Sequence, residues 1–197
     1  MSLAAIGLFL VAYQWGNQLK QDMRGPPTLS GVMVRPAQPL PDFVLSDSAG
    51  AELARSDLLG HWSLIAFAPL GTVSGHRGIT RMVGVYNRLA DQPTLQGRLR
   101  LLLVSADSAP RLARDFERLS PAIAILHGDR DQLDLLRDAL GASPEPTDDT
   151  AVPPLFLSDP DARLTALFPP SQPDAEIAAD VAALADWPGA DASQSDD

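Results

Sequence analysis

Three apolar runs stand out between polar, glycine- and proline-marked breaks: Trp62 to Ala68 (WSLIAFA), Leu99 to Val104 (LRLLLV) and Ala122 to Leu126 (AIAIL). Short runs like these, apolar at nearly every position, suit strands covered on both faces. Between them the apolar period lengthens from 2 to 3.6 residues. Ile79, Met82, Val83, Tyr86 and Leu89 share one face of a helix predicted over residues 77–91. Leu112, Phe116 and Leu119 do the same over Ala109 to Leu119, and Asp131 to Leu140 reads as a helix that Gly141 terminates.

The flanks follow strand spacing. Asp42 to Ser46 alternates, Asp47 to Gly50 (DSAG) turns, and Ala51 to Ala54 returns; Ser56 caps a single helical turn that ends at Gly60. After a polar loop from Ala142 to Thr150, Pro154 to Leu157 and Arg163 to Phe168 flank the turn Asp159 to Ala162 as a hairpin. Asp174 to Leu184 makes a last helix with Ile177, Val181 and Leu184 inward. Buried strands alternating with helices predict an α/β fold whose middle strands run parallel, while the late hairpin adds antiparallel strands. The expected architecture is a thioredoxin-like mixed sheet flanked by helices.

Both ends break this pattern. Leu3 to Trp15 (LAAIGLFLVAYQW) carries no charge, with Tyr13 and Trp15 at one end like an interfacial belt, so residues 1–24 are expected to form a hydrophobic anchor helix, the alternative being an interfacial or soluble helix with an apolar face. As a helix this stretch spans about 20 Å against a hydrocarbon core of about 30 Å. Lys20 and Arg24 follow it and nothing basic precedes it, a pattern that a start lying further upstream would resolve. Residues 25–41 are proline-rich and read as a linker with an apolar patch at Gly31 to Val34, the folded domain covers residues 42–186, and the acidic tail 187–197 is expected to be disordered.

Charge and composition narrow the function. A net charge of −10, from 25 acidic and 15 basic side chains, opposes a phosphate backbone, and there is no basic stripe with interleaved aromatics, so no nucleic-acid partner is expected. The 197-residue chain has no cysteine, which excludes disulfides, a thiolate nucleophile, thiol redox cycling and cysteine-based metal sites.

Candidate chemistry concentrates where the first buried strand meets its helix, at Phe67 to Ile79 (FAPLGTVSGHRGI). Thr72 or Ser74 beside His76 suggests a nucleophile and base, but G-x-S-x-G is absent and the sequence reads V-S-G-H. Gly71, Gly75 and Gly78 would suit a phosphate cradle, yet no lysine accompanies them, and turn glycines explain them better. His76 and His127 follow the ends of parallel strands and form a conceivable metal pair, whereas His61 precedes its strand. Met82 points to the core by its spacing and Met33 lies in the linker. Asp107 is expected to cap the helix after it, and the thioredoxin-like architecture would allow one cis bond at Pro153 or Pro154.

Pro39 to Leu45 (PLPDFVL), Gly60 to Phe67 (GHWSLIAF), Val104 to Asp107 (VSAD), Asp159 to Leu164 (DPDARL) and the closing Leu167-Phe168 resemble, in order and spacing, the Sco/SenC family over about residues 30–185. The resemblance implies a thioredoxin-like protein anchored in the bacterial inner membrane, its globular domain facing the periplasm, that serves copper-site assembly in cytochrome c oxidase. Family members use a Cys-x-x-x-Cys motif after the central strand and a distal histidine, ligands suited to copper and to disulfide exchange. Those positions are Thr72, His76 and Ala151 in this chain, so every ligand is replaced. The resemblance and the replacements together imply a non-enzymatic accessory factor without cofactor. It would bind oxidase subunits or assembly factors through Pro69, Leu70, Gly71, Thr72, Val73, Ser74, Gly75 and His76. The alternative is a copper metallochaperone with non-cysteine ligation, using His76 with His127 or a partner's residues.

Overall fold

A computed structural model describes residues 25–118, 120–142 and 149–187. The expected anchor at Leu3 to Trp15, Leu119, most of the polar loop before the late hairpin and the tail after Trp187 lie outside the described residues.

The elements run β1 (Val32–Pro39), β2 (Val44–Ser46), β3 (Glu52–Ala54), a 3-10 turn (Arg55–Leu58), β4 (Trp62–Phe67), α1 (Val73–Arg88), α2 (Pro93–Arg98), β5 (Leu99–Val104), α3 (Pro110–Glu117), β6 (Ile123–Leu126), α4 (Arg130–Ala139), β7 (Leu155–Ser158), β8 (Arg163–Phe168) and α5 (Asp174–Ala185). One sheet takes the order β1-β8-β7-β4-β5-β6, in which β4, β5 and β6 are parallel and the rest antiparallel. The mixed sheet flanked by helices is therefore present, with the parallel middle strands and antiparallel late hairpin that the apolar pattern predicts.

Every residue of β4 is buried, because each face of the sheet is covered. Leu64 and Ala66 pack with Ile79, Met82 and Val85 of α1 and with Ile177 and Val181 of α5. Ile65 and Phe67 point the other way, against Leu133 and Leu136 of α4 and against Leu45 of the β2–β3 hairpin. Each such fully buried side chain contributes about 1.5–3 kcal/mol, so α1 is held to the sheet by packing rather than by helix propensity alone. The hairpin joins the sheet through a bridge between Ser46 and His127.

Four local expectations change. Val32–Pro39, inside the segment read as linker, is the edge strand β1, paired with β8 from Val32–Leu167 to Pro39–Arg163. Its alternation is broken by an irregularity between Met33 and Gln38, and an edge strand accommodates Pro36 and Pro39 without losing ladder bonds. Helix α1 begins at Val73 rather than residue 77, since Thr72 caps it despite the glycines beyond. Asp107 caps nothing: α3 starts at Pro110 with Ala109 at its N-cap position, and Asp107 instead donates its amide to Ser105 Oγ at 3.1 Å. The cis bond that a thioredoxin-like fold would allow at Pro153 or Pro154 is not there; among the described residues the cis peptide is Arg35–Pro36. The short helix α2, opened by Pro93 at its first turn, buries no residue and so leaves no apolar face to read.

Candidate functional site

The chain leaves β4 through Pro69-Leu70-Gly71 and enters α1 under tight local constraint. Leu70 donates its amide to Ser105 Oγ at 3.0 Å, tying the loop to the end of β5. The Thr72 hydroxyl donates to Pro69 O at 2.8 Å and accepts the Gly75 amide at 3.3 Å, a side-chain N-cap. The Ser74 amide donates to Asp149 O at 2.7 Å. With the Ser74 and Gly75 amides engaged internally, the first turn of α1 keeps too few free donors for a phosphate cradle. Gly75 has a packing reason of its own: a Cβ there would lie 2.3 Å from Pro69 O.

Ser74 is 1% exposed and its hydroxyl has no hydrogen-bond partner among the described residues. His76 is exposed, its ring 5.2 Å from that of Phe116 on α3 at 58°. Residues two apart on a helix do not face one another, so the nucleophile–base reading lacks its geometry. Thr72 and His76, four apart, do share a side.

The segment after the polar loop returns to this turn. Alongside the Asp149 contact, Arg77 donates to Thr150 O, which brings half-buried Ala151 next to the start of α1. The three positions that the family resemblance marks as ligands therefore lie in one neighbourhood, and none carries sulfur.

His127 follows β6. Its backbone exchanges hydrogen bonds with Ser46, at 2.9 and 2.7 Å, two strands from β4 and hence about 10 Å across the sheet. It borders a cavity with Asp47, Asp107 and Ala113 of α3, the helix whose Phe116 meets the tilted ring of His76. His61 stands before β4, at the far end of that strand. Met82 is fully buried, as its spacing predicts. Among the described residues no group of three or more histidines or carboxylates is placed to hold a metal ion.

Of the eight residues expected to meet a partner, Leu70, Ser74 and Gly75 are buried and shape the turn from beneath. Gly71, Val73 and His76 are exposed, Val73 by 49%, and Pro69 and Thr72 are half-buried.

One residue of structural weight escapes motif reading. Arg81, 6% exposed, donates to Pro153 O at 3.0 Å, Pro169 O at 2.5 Å and Gln172 O at 2.9 Å, fastening α1 to the approaches of β7 and α5. Burial lowers its pKa and Asp174, 3.9 Å away, counters that. Its spacing is the available signal, for it falls between Gly78 and Val85 on the buried face of α1.

No family model and no curated protein matches the chain. Among solved structures, apo Sco1 of Thermus thermophilus aligns with a TM-score of 0.62 at 19% identity, over 80% of this chain and 96% of that one. Yeast Sco1 with copper bound aligns with a TM-score of 0.58 at 19% identity, over 80% and 92%. BsSco, a member of the Sco family of cytochrome c oxidase assembly proteins in which a disulfide switch is identified, aligns at 0.61 and 15% identity, over 77% and 95%. At such identities the likeness speaks to architecture: this chain has the thioredoxin-like fold of the Sco proteins and, unlike a thiol protein, not one cysteine.

Proposed function

We propose that the chain is a cysteine-free Sco/SenC-type accessory factor, tethered to the inner membrane by residues 1–24 with its domain facing the periplasm. It binds a protein partner in cytochrome c oxidase assembly without passing electrons or copper. The observation that carries the reading is the conjunction at α1. A Sco-like fold brings the neighbourhoods of Thr72, His76 and Ala151 together, and the side chains there lack the soft donors that copper selects. Exposed Gly71, Val73 and His76 supply the contact surface, stiffened from below by the Thr72 cap.

The test is capture of oxidase subunits or their assembly proteins by the tagged full chain from cross-linked membranes. Val73→Asp places a charge in the centre of the proposed contact and should weaken capture about tenfold while leaving the melting curve unchanged. Capture indifferent to Val73→Asp, or no oxidase-linked partner at all, refutes the reading. Parallel titration with Cu(I) and Cu(II) separates the alternative: stoichiometric copper lost in His76→Ala makes the protein a metallochaperone instead.

A further inference from the structure

At the opposite end of the sheet from the first turn of α1, a cavity of about 370 Å³ opens beneath the irregular part of β1. Its size falls within the roughly 300–1,000 Å³ of small-molecule sites. Trp62 at the start of β4, Leu184 near the end of α5 and Met33 of β1 supply apolar wall, and Trp187 closes one side.

The polar groups that reach this cavity are not equivalent. Arg163 is fully engaged by carboxylates, with both its Nε and Nη2 at 2.9 Å from Asp159 Oδ2 and Nη2 also at 2.8 Å from Asp161. The Thr165 hydroxyl spends its proton on Leu157 O at 3.1 Å. Arg35 differs from all of these. Its guanidinium lies 4.7 Å over the Trp187 ring and makes no ion pair with a carboxylate among the described residues. In a chain of net charge −10, the exposed guanidinium of Arg35 at the mouth of this cavity, with no carboxylate partner among the described residues, is open to an anion from outside.

We propose that this cavity binds a small planar aromatic carboxylate, its ring against Trp62 and Trp187 and its carboxylate on Arg35. Stacking and apolar burial hold the ring, and the planar guanidinium fork orients the charged end. The site is independent of the Pro69–His76 surface and stands or falls separately from it.

Calorimetric titration of the full chain with 2-naphthoate, and with uncharged 2-naphthylmethanol beside it, tests the proposal. Saturable one-to-one 2-naphthoate binding is expected. Arg35→Gln should weaken it about tenfold and leave 2-naphthylmethanol unchanged, since one charge-assisted contact is lost. Ala37→Phe, which fills the cavity, should abolish both. Because that variant disturbs a strand, the wild type provides a second readout: 2-naphthoate should shift the indole N–H resonances of Trp62 and Trp187. Absence of saturable binding, affinity unchanged in Arg35→Gln, or shifts that spare Trp62 and Trp187 would overturn the assignment.

Discussion

At Gly75 the helix and the loop feeding it come too close for any side chain. Gly75→Ala would drive a Cβ to within 2.3 Å of Pro69 O, whereas Gly71, four residues earlier, has open space around its Cα. Gly75→Ala should therefore cost about 1–3 kcal/mol in urea unfolding, with Gly71→Ala close to neutral; equal effects would remove the close approach as the reason for the glycine. Asp159 makes a second residue-level case. Its carboxyl is 1% exposed, and burial raises its pKa above the usual aspartate range against the opposing pull of Arg163 and two backbone amides. A carboxyl whose folded pKa exceeds its unfolded one adds stability at acid pH and loses it as pH rises through the folded value. Urea midpoints of wild type relative to Asp159→Asn should accordingly rise as pH falls from neutral through the carboxylate range. A difference independent of pH, or one of opposite slope, contradicts this.

The edge strand β1 shows how an element can depend on one distant side chain. Asp180 on α5, 5% exposed, accepts the amides of Ser30 at 3.0 Å and Gly31 at 2.8 Å, and also Gln172 Nε2 at 2.9 Å. The carboxylate thus clamps the lead-in to β1 against the helix that covers the same end of the sheet. Asp180→Ala leaves three donors without their acceptor, at about 1–3 kcal/mol, and the loss should be local. Amide exchange should accelerate at residues 30–34 while β4 and β5 keep their protection; uniform acceleration would mean that Asp180 serves the whole core. Nothing in the spacing of Pro36 and Pro39 announces such a strand, because its pairing is supplied by β8 and its anchor by a residue 150 positions away. The strands β4 to β6 and the helices α1 and α3 were legible for the opposite reason. Burial on both faces writes a continuous apolar run, and one-sided burial writes the helical period. The same logic limits what could be read of the site. Thr72, Ser74 and His76 are visible as residues, but only the folded turn separates exposed His76 from buried Ser74.

For the whole molecule, the decisive contrast is between a retained scaffold and absent sulfur. The strand–loop–helix junction and the returning segment at Asp149 to Ala151 keep their mutual contacts, so donors placed on them would meet. Thr72→Cys, His76→Cys and Ala151→His together should confer stoichiometric Cu(I) binding, visible by equilibrium competition with a Cu(I) chelator, on a chain expected to bind none in its native form. Native copper binding of equal strength, or failure of a folded triple variant to take up metal, would show that the missing sulfur is not what separates this chain from copper chemistry. Thr72→Cys also removes the threonine cap, which costs helix α1 about 0.5–2 kcal/mol, so the variant's fold is checked by its thermal melt.

The amino-acid sequence alone determined the α/β class, the parallel centre and the absence of thiol side chains. Those rest on local quantities: apolar period, turn residues and the presence or absence of a side-chain type. Only the tertiary structure decided that β1 exists, that Arg81 and Asp180 bind segments far apart in the chain, and that a tryptophan-lined cavity lies at the far end of the sheet. Each depends on which distant backbone group or side chain arrives at a given point, and contacts between residues 72 to 150 positions apart leave no period in either partner to read.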